Sequence, residues 1–509
     1  MNAARTHQAA AWMRGWASMA MAIAVSATIG AAAWAQAGAS ASSEPNAAST
    51  PGTPAVPSSA PSSAASAIAV PAATPAPLHG MVIDADTKQG IPLAHVVSGD
   101  VTVRTDHDGH FSLPANLAGQ TVGARMPGYR QQQGKLQAGS AGPTVLPLRK
   151  FQARGLYLSA YGIGSSKLRG DALTLMAQTD LNTLVIDIKG DAGIVPYRSE
   201  AWAALGYPKQ TVVTVRDMPA LIKDLHERGI YLIGRIVTFK DDKMAHAKPQ
   251  WAVKTSSGAM FKDREGLSWL DPSIPDAWEP AVTMAEEAAK LGFDEIQFDY
   301  VRFPDTPGLV FSQPNTWEVR PFMISAFLDK ARQRLAKYNV YVSADIFGYV
   351  CWNLNDTFIG QQLEMLSDRL DYLSPMLYPS GFTWGIPGHV MAVGSPYEIV
   401  HHSLQAAIER SGMSGVRFRP WLQAFKDYAF DKRVFGEQEI RLQIQAADDV
   451  HTQGWLLWNA GNHYSTAGLN VKKVAVPASA SSAASTPASA SASTPASAKP
   501  SSAHAASRP

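Results

Sequence analysis

The chain has 509 residues, with 44 lysines and arginines against 42 aspartates and glutamates, and a formal net charge of +2. So small a net charge argues against a protein whose main partner is nucleic acid, because such proteins need a strongly basic surface. A single cysteine, Cys351, excludes an intramolecular disulfide framework and a cysteine-based zinc site.

The first 35 residues show the three parts of a secretory signal peptide. Arg5 and Arg14 precede an apolar run over residues 16–33, and the small-residue pattern Ala-Trp-Ala ends at Ala35. We therefore expect cleavage after Ala35, export to the periplasm or the extracellular space, and no stable membrane anchor afterwards. The alternative is an uncleaved anchor, because about 18 apolar or small residues just reach across a bilayer.

Two segments are too poor in apolar residues to fold by themselves. Residues 36–76 are rich in Ala, Ser, Pro and Thr and carry one charged residue, Glu44. Residues 477–509 contain 28 Ala, Ser or Pro. Such tracts bury too little apolar surface to offset the loss of chain entropy. We predict a disordered linker and a disordered tail, which leave roughly 400 residues for folded domains.

Residues 77–150 contain short strand-like runs separated by turns, a spacing typical of an antiparallel β-sandwich. Asp106 and Asp108 are interpreted as caps of a hairpin turn at Gly109, because a calcium loop needs further oxygen ligands. The pattern T-D-x-D-G-x-F-x-L over 105–113 resembles the carboxypeptidase-regulatory-like, transthyretin-like module. That resemblance implies an accessory β-sandwich with no chemistry of its own.

Residues 151–476 alternate between strand-like and helix-like segments. Eight β-then-α repeats predict a TIM (β/α)8 barrel, with a doubly wound sheet as the alternative. The fold class is therefore α/β, with a small all-β sandwich before the barrel. The predicted strands are Gly155–Tyr161, Thr183–Lys189, Tyr231–Thr238, Glu295–Phe303, Val340–Phe347, Tyr372–Tyr378, Val416–Phe425 and Gly454–Asn459.

Three of these strands carry carboxylates at or near their C-terminal ends. TIM barrels place their catalytic residues at these ends. Side-chain alternation points Asp299 of strand four and Asp345 of strand five into the barrel mouth. Strand two adds Asp187, Lys189 and Asp191. A buried lumen tolerates unpaired charge badly, so these carboxylates need an explanation. The structural alternative is a lumen of salt bridges to Lys189, Arg235 and Arg302.

Two carboxylates on neighbouring strands match the requirements of glycosidic bond cleavage. One acts as nucleophile or base, and the other as an acid with a raised pKa. Adjacent strands lie about 4.8 Å apart, so the two carboxylates could approach the separation of about 5–5.5 Å seen in retaining enzymes. The register of the strands decides this separation, and the sequence does not determine the register.

The supply of aromatic residues agrees with sugar binding, since all ten tryptophans outside the signal segment lie in 151–476. Aromatic rings at strand ends stack on apolar sugar faces, while polar side chains bind hydroxyl groups. We expect a carbohydrate substrate, most simply a polysaccharide. The predicted substrate-binding residues are Asp187, Lys189, Arg235, Arg302, Trp352, Tyr378, Trp384, Trp421, Gln423 and Asn459.

No cofactor and no metal site is predicted. His401 and His402 are adjacent on a predicted helix, so their side chains diverge by about 100° and do not easily share one ion. The sequence contains no G-x-S-x-G elbow, P-loop or H-E-x-x-H motif. Cys351 has no evident histidine partner and is interpreted as a spectator thiol.

The run 292–304, which contains F-D-Y-V-R-F-P, resembles the signature of a bacterial family of unknown function that is grouped with the glycoside hydrolases. The resemblance extends over most of residues 153–470. Residues 297–302 are also similar to the strand-four motif of the alpha-amylase clan, in which the aspartate matching Asp299 is the nucleophile. That clan usually has a glutamate acid/base on strand five, where this chain has Asp345.

These resemblances imply carbohydrate hydrolysis, with Asp299 as nucleophile. From the residues we further predict that Asp345 is the proton donor and that Asp187 is a third carboxylate, which orients the substrate. The expected protein is an exported hydrolase that needs no cofactor and retains anomeric configuration. The alternative is a catalytically silent protein that binds polysaccharide or acts as a scaffold at the cell envelope. An open cleft around Asp299 and Asp345 favours the enzyme, whereas a plugged mouth favours the binder.

Overall fold

The computed structural model of the chain describes residues 76–137 and 142–472. The predicted signal segment (1–35), the predicted tail (477–509) and all but the last residue of the predicted linker (36–76) lie outside this part. Within the described ranges, no helix is both long enough and apolar enough to cross a bilayer.

The first folded region is a sandwich of two four-stranded sheets. One sheet has the strand order β4-β1-β8-β6 and the other has the order β3-β2-β5-β7. Its core contains Val82, Val96, Phe111, Val122 and Leu148. The strands are β1 (Leu78–Asp84), β2 (His95–Ser98), β3 (Val101–Arg104), β4 (His110–Leu113), β5 (Thr121–Arg125), β6 (Tyr129–Arg130), β7 (Gln132–Lys135) and β8 (Thr144–Lys150).

In the turn before β4, Asp106 has the predicted capping role, whereas the Asp108 carboxylate contacts the His107 ring at 3.2 Å instead. Asp106 Oδ1 accepts hydrogen bonds from the backbone N–H groups of Asp108 (3.0 Å) and His110 (2.8 Å). Gly109 has a φ of +83°, a left-handed conformation that glycine adopts without steric cost. The aspartate therefore satisfies backbone donors of a tight turn.

The second region is a closed barrel of eight parallel strands, which confirms the predicted TIM barrel. The strand order around the barrel is β9-β10-β11-β13-β15-β16-β17-β18, closing on β9. A small antiparallel pair, β12 with β14, lies outside it. The strands are β9 (Ala153–Leu158), β10 (Thr183–Lys189), β11 (Tyr231–Val237), β12 (Lys254–Thr255), β13 (Glu295–Asp299), β14 (Leu309–Val310), β15 (Tyr341–Phe347), β16 (Tyr372–Met376), β17 (Trp421–Gln423) and β18 (Gly454–Trp458).

The helices that cover the barrel begin and end at recognisable signals. Asp217 caps α4 by accepting the Ala220 N–H at 2.9 Å, and Gly292 ends α6 with a φ of +106°. The α-helices of the described ranges are α1 (Ala160–Gly164), α2 (Ser166–Gln178), α3 (Glu200–Ala204), α4 (Met218–Glu227), α5 (Asp242–Ala247), α6 (Glu279–Leu291), α7 (Val319–Leu335), α8 (Leu363–Ser367), α9 (Pro396–Ser411) and α10 (Glu437–Asp449).

The predicted strands are all present, but three of them differ from the prediction by three or more residues at one end. Tyr161 belongs to α1 rather than to the first barrel strand. The fourth strand stops at Asp299, because Tyr300 adopts a positive φ of +48°. The seventh strand is the shortest in the barrel, since residues 415–417 form a 3₁₀ turn before it.

The sandwich packs against the N-terminal ends of the barrel strands. The Tyr341 hydroxyl, at the start of β15, lies 2.7 Å from the Tyr129 carbonyl and 3.2 Å from the Met126 N–H. The Gly128 N–H donates to the Tyr372 hydroxyl at the start of β16 (3.1 Å). The base of the barrel is thus covered, and its open end is the C-terminal one.

Candidate active site

A cavity of about 210 Å³ opens at the C-terminal ends of the barrel strands. Parallel strands bring these ends to one face of the barrel, so residues far apart in sequence meet there. Its charged lining residues are Asp191, Arg235, Asp299, Arg302 and Asp345. Its aromatic lining residues are Tyr300, Phe347, Tyr378, Trp421 and Trp458.

Asp299 is the last residue of β13 and points into this cavity. Glu295, Gln297 and Asp299 share the inner face of the strand, whereas Ile296 and Phe298 belong to the core beneath the helices. The chain then turns sharply at Tyr300, whose N–H donates to Asp299 Oδ1 at 2.6 Å. The left-handed turn therefore ends the strand and fixes the carboxylate at the same time.

Arg235 on β11 is the cation that joins the carboxylates. Its Nη2 and Nε donate to Asp299 Oδ2 at 2.5 and 3.0 Å, and its Nη1 donates to Asp187 Oδ1 at 2.7 Å. Asp191 lies 3.5 Å from Nη2. Burial alone would lower the pKa of Arg235, but the charges of Asp299 and Asp187 raise it well above its usual value. Arg235 therefore remains a cation inside the barrel.

Asp345 on β15 is the second predicted catalytic carboxylate. It is buried, and its Oδ1 accepts the indole N–H of Trp421 at 2.7 Å. Its Oδ2 lies 3.9 Å from Arg235 Nε, too far for a hydrogen bond. Burial and the negative charge of Asp299 raise the pKa of Asp345 well above its usual value.

Arg235 Nε also limits the separation of the two carboxylates. This nitrogen is 3.0 Å from Asp299 Oδ2 and 3.9 Å from Asp345 Oδ2, so these two oxygens lie no more than about 7 Å apart. Retaining glycosidases place their carboxyl groups about 5–5.5 Å apart and inverting ones about 6.5–9.5 Å apart. The upper limit for this one pair of oxygens therefore allows the retaining separation and the lower end of the inverting range.

Tyr378 lines the cavity together with both carboxylates. Burial, followed by the negative charges of Asp345 and Asp299, raises the pKa of its phenol well above the usual value. Its hydroxyl therefore keeps its proton and can act as a hydrogen-bond donor in the cavity.

Asp187 lies beneath the cavity, where it positions Arg235. Its Oδ2 accepts the Tyr157 hydroxyl at 2.7 Å, and burial raises its pKa although the Arg235 charge opposes this. Tyr157 in turn stacks on Trp458, with ring centroids 4.0 Å apart. The Arg235 guanidinium lies 5.1 Å from the Trp458 ring centroid. Asp187 thus contributes to the support of the pocket rather than to its lining.

The structure brings six of the predicted site residues to the cavity: Asp299, Asp345, Arg235, Arg302, Tyr378 and Trp421. Arg302 lies at its rim, with its guanidinium 5.5 Å from the Tyr300 ring centroid. The remaining predicted residues lie elsewhere, for reasons that differ from residue to residue.

Lys189 faces the helices instead of the lumen. The register of β10 with β11 shifts between Asp187 and Lys189, which pair with Arg235 and Ile236 respectively. This bulge reverses the side-chain alternation that sequence analysis assumes. The Lys189 ammonium is fully buried and donates to Asp241 Oδ2 at 2.5 Å.

Gln423 and Asn459 are occupied by contacts within the fold. The Gln423 amide donates to Ser380 Oγ at 2.7 Å, and its oxygen accepts the Ser380 N–H at 3.0 Å. The Asn459 amide donates to the Ala424 carbonyl at 2.7 Å and accepts the Gly461 N–H at 2.9 Å. Both side chains therefore shape loops around the mouth.

Two predicted tryptophans also lie outside the cavity lining. The Trp352 indole donates to Ser403 Oγ on α9 at 2.8 Å, which places this ring against the helical layer. Trp384 is 78% exposed, and its ring centroid lies 5.8 Å from that of Tyr349. An indole this exposed, supported by a second ring, is a platform on which a sugar ring can stack.

Gln361 and Asp191 line the cavity but were not among the predicted site residues. Gln361 lies in a loop, where its amide donates to the Asp345 carbonyl (3.2 Å) and its oxygen accepts the Phe347 N–H (2.9 Å). No local pattern marks such a residue. Asp191 was expected at the end of strand two with Asp187 and Lys189 but was not among the predicted site residues. Its distance to Arg235 depends on the bulge that precedes it.

Residues 76–137 and 142–472 contain no group of three or more His, Cys, Asp or Glu side chains arranged to hold a metal ion. The lining of the cavity supplies carboxylates, the buried guanidinium of Arg235 and aromatic rings.

The model of a family described as "Putative glycosyl hydrolase domain" matches residues 155–464. No curated protein matches the chain. Among solved structures, a hypothetical protein from Ruminiclostridium thermocellum ATCC 27405 is 37% identical, over 37% of this chain and 96% of that one, with a TM-score of 0.33.

Two further solved structures are similar to the barrel at low identity. The glycoside hydrolase domain of PgaB (BpsB) from Bordetella bronchiseptica is 14% identical, over 61% of this chain and 95% of that one, with a TM-score of 0.46. A chitinase from Chromobacterium violaceum ATCC 12472 is 12% identical, over 61% and 96% of the two chains, with a TM-score of 0.38.

Proposed function

The chain belongs to the family described as "Putative glycosyl hydrolase domain", and from this premise we propose that it hydrolyses glycosidic bonds of a polysaccharide or oligosaccharide with Asp299 and Asp345. The observation that carries the proposal is the contrast between these two carboxylates in one cavity. Arg235 binds Asp299 in two hydrogen bonds, whereas Asp345 has no hydrogen bond from Arg235 and a raised pKa.

Asp299 has the environment of a nucleophile. Two guanidinium donors stabilise its negative charge, and the Tyr300 N–H holds the other oxygen, so the carboxylate is preorganised at the mouth. In the first step one of its oxygens attacks the anomeric carbon. The bond from that carbon to the leaving oxygen breaks, and a glycosyl ester of Asp299 forms.

Asp345 has the environment of a general acid. Burial and the charge of Asp299 favour its protonated form, so it can give its proton to the leaving oxygen as the glycosidic bond breaks. The resulting carboxylate then accepts a proton from the water that hydrolyses the ester. These two steps together retain anomeric configuration. They agree with a separation below about 7 Å between Asp299 Oδ2 and Asp345 Oδ2.

The test compares Asp299→Asn with Asp345→Asn on a panel of bacterial exopolysaccharides and α- and β-glucans. Each variant should lose about 10²–10⁴-fold or more in kcat/KM. An aryl glycoside with a good leaving group needs little protonation, so it should rescue the first step for Asp345→Asn but not for Asp299→Asn. Asp276→Asn, at an exposed position outside the cavity, is the matched control and should keep parental activity.

Two results would contradict this assignment. If both variants keep parental activity on a substrate that the parent cleaves, the two carboxylates are not catalytic. The second result is that no substrate is cleaved, while oligosaccharides bind and protect the fluorescence of Trp384 from quenching. The protein would then be the polysaccharide-binding or scaffold protein that the sequence offers as the alternative.

We also propose that the protein acts outside the cytoplasm, in the periplasm or beyond it. The proposal rests on the basic, apolar and small-residue parts of residues 1–35, which together are typical of a cleaved signal peptide. Mass spectrometry of the protein from its native cell envelope tests it. A mature chain that still begins at Met1 would contradict cleavage.

A further inference from the structure

A second cavity, of about 500 Å³, lies between the sandwich and the base of the barrel, far from the strand ends that form the active site. Arginines from both regions line it. Arg104 and Arg125 come from the sandwich, whereas Arg332 and Arg417 come from the barrel. Two aspartates also line it, so the arginines exceed the carboxylates by two charges.

Arg125, at the end of β5, is the buried member of this set. Its side chain is 4% exposed, and its Nε and Nη1 are buried without a hydrogen-bond partner among the described residues. Asp371 Oδ2 lies 4.0 Å from Nε, beyond hydrogen-bond distance, and already accepts the Val342 N–H at 2.9 Å. A buried guanidinium with unsatisfied donors is costly, so this position calls for an acceptor.

The two barrel arginines of this cavity, Arg332 and Arg417, donate hydrogen bonds to neutral backbone oxygens. Arg417 donates through Nε to the Asp371 carbonyl at 2.7 Å and through Nη2 to the Ser367 carbonyl at 3.0 Å. Arg332 donates to the Asp368 carbonyl at 2.7 Å. Backbone carbonyls orient a guanidinium but do not neutralise it. The two aspartates of the cavity therefore offset only half of the positive charge of its four arginines.

His95 adds a further polar group on the sandwich side. Its Nδ1 is buried and has no hydrogen-bond partner in the described part of the chain. Burial, and then the positive charge of Arg125, lowers the pKa of His95 to about 3. The imidazole is therefore neutral near pH 7 and can donate one N–H without adding charge.

We propose that this cavity is an oxyanion site that binds a phosphate group between the sandwich and the barrel. Arginine matches the geometry of phosphate oxygens, and charge-assisted hydrogen bonds are the strong ones. Free inorganic phosphate and a phosphomonoester carried on a larger molecule present the same terminal oxygens. Because Arg125 and Arg417 belong to different regions, the bound anion would also link sandwich and barrel.

Isothermal titration calorimetry on the whole protein tests the site, with inorganic phosphate and glycerol 1-phosphate as probes at an ionic strength held constant with sodium chloride. We expect saturable binding at one site per chain, and an affinity at least tenfold weaker in Arg125→Met. Arg198→Met removes the same charge from an exposed position outside this cavity and should bind like the parent.

Thermal unfolding provides the second readout. Phosphate stabilises many proteins by exclusion from their surface, so the informative quantity is the difference between parent and variant. Without phosphate, Arg125→Met should be at least as stable as the parent, because it removes a buried, unpaired cation. If this variant fails to fold, Arg104→Met at the exposed rim replaces it and should weaken phosphate binding.

Each outcome decides the proposal. Binding of inorganic phosphate that depends on Arg125 supports a free anion as ligand, and binding of glycerol 1-phosphate alone supports a phosphomonoester. The proposal is overturned if neither probe binds. It is also overturned if phosphate raises the unfolding temperature of the parent and Arg125→Met equally.

Discussion

Breaking the buried ion pair between Glu295 and Arg419 should strongly destabilise the barrel. Both side chains are fully buried in the lumen, where Arg419 Nη1 donates to Glu295 Oε2 at 2.6 Å. Glu295 also accepts the Tyr231 hydroxyl at 2.9 Å and the Ser343 hydroxyl at 2.5 Å. Arg419 Nη2 has no hydrogen-bond partner among the described residues, so Glu295 supplies its compensating charge.

Glu295→Gln keeps the shape of the side chain and removes its charge. The amide oxygen can still face Arg419 and Tyr231, and the amide nitrogen can donate to Ser343 Oγ, so most of the loss is the uncompensated cation. Breaking a buried pair in this way costs about 3–5 kcal/mol. The exposed pair of Lys223 and Glu227 provides the contrast, since Glu227→Gln should cost less than about 1 kcal/mol.

Urea unfolding followed by tryptophan fluorescence measures both variants, because all ten tryptophans outside the signal segment lie in 151–476. The midpoint of Glu295→Gln should fall well below that of the parent, while Glu227→Gln should unfold with the parent. If Glu295→Gln costs no more than Glu227→Gln, Arg419 is compensated by solvent or by another group, and the reasoning about the lumen is wrong.

Three further predictions concern Asp345, Trp421 and Tyr341. Because the folded-state pKa of Asp345 is raised above its unfolded value, its contribution to stability declines as pH rises from about 4 through the folded pKa. Asp345→Asn should therefore unfold at a urea concentration that exceeds the parent's by more at pH 8 than at pH 4. Trp421→Phe removes the N–H that lowers the pKa of Asp345, so the alkaline limb of kcat/KM should move to higher pH; an unchanged profile would contradict the proton-donor role. Tyr341→Phe deprives the Met126 N–H of its acceptor, and should cost about 1–3 kcal/mol in urea unfolding, with no change in KM.

The barrel was predictable because its signals are local. Most barrel strands are short, largely apolar runs, several helices begin at a side-chain cap, and side-chain alternation along β13 directs Asp299 inward. Lys189 shows where this approach fails, since one extra residue in β10 reverses the alternation. A bulge depends on the pairing with β11, which is a contact between distant residues. The ends of strands were therefore predicted less well than their existence.

The hydrogen-bond partners of the site residues could not be predicted either, because they too depend on contacts between residues distant in sequence. Arg235 was predicted to bind substrate or, in the structural alternative, to join the salt bridges of the lumen. It contacts Asp187 and Asp299 together, a geometry that depends on the register of three strands. The packing of the sandwich against the barrel base also left no trace in local patterns. Arg125 reads as an ordinary strand residue until its burial beside the barrel is known.

The covered base of the barrel has a consequence for how the protein can be attached to a surface. Residue 78 begins the sandwich that covers this base. At the other end of the described chain, the Lys472 N–H donates to the Gln178 carbonyl at 2.8 Å, just before β10 starts. Both described ends therefore leave from the side opposite the pocket. A surface joined at residue 76 or at residue 472 would therefore lie behind the barrel, and the mouth of the pocket would face away from that surface.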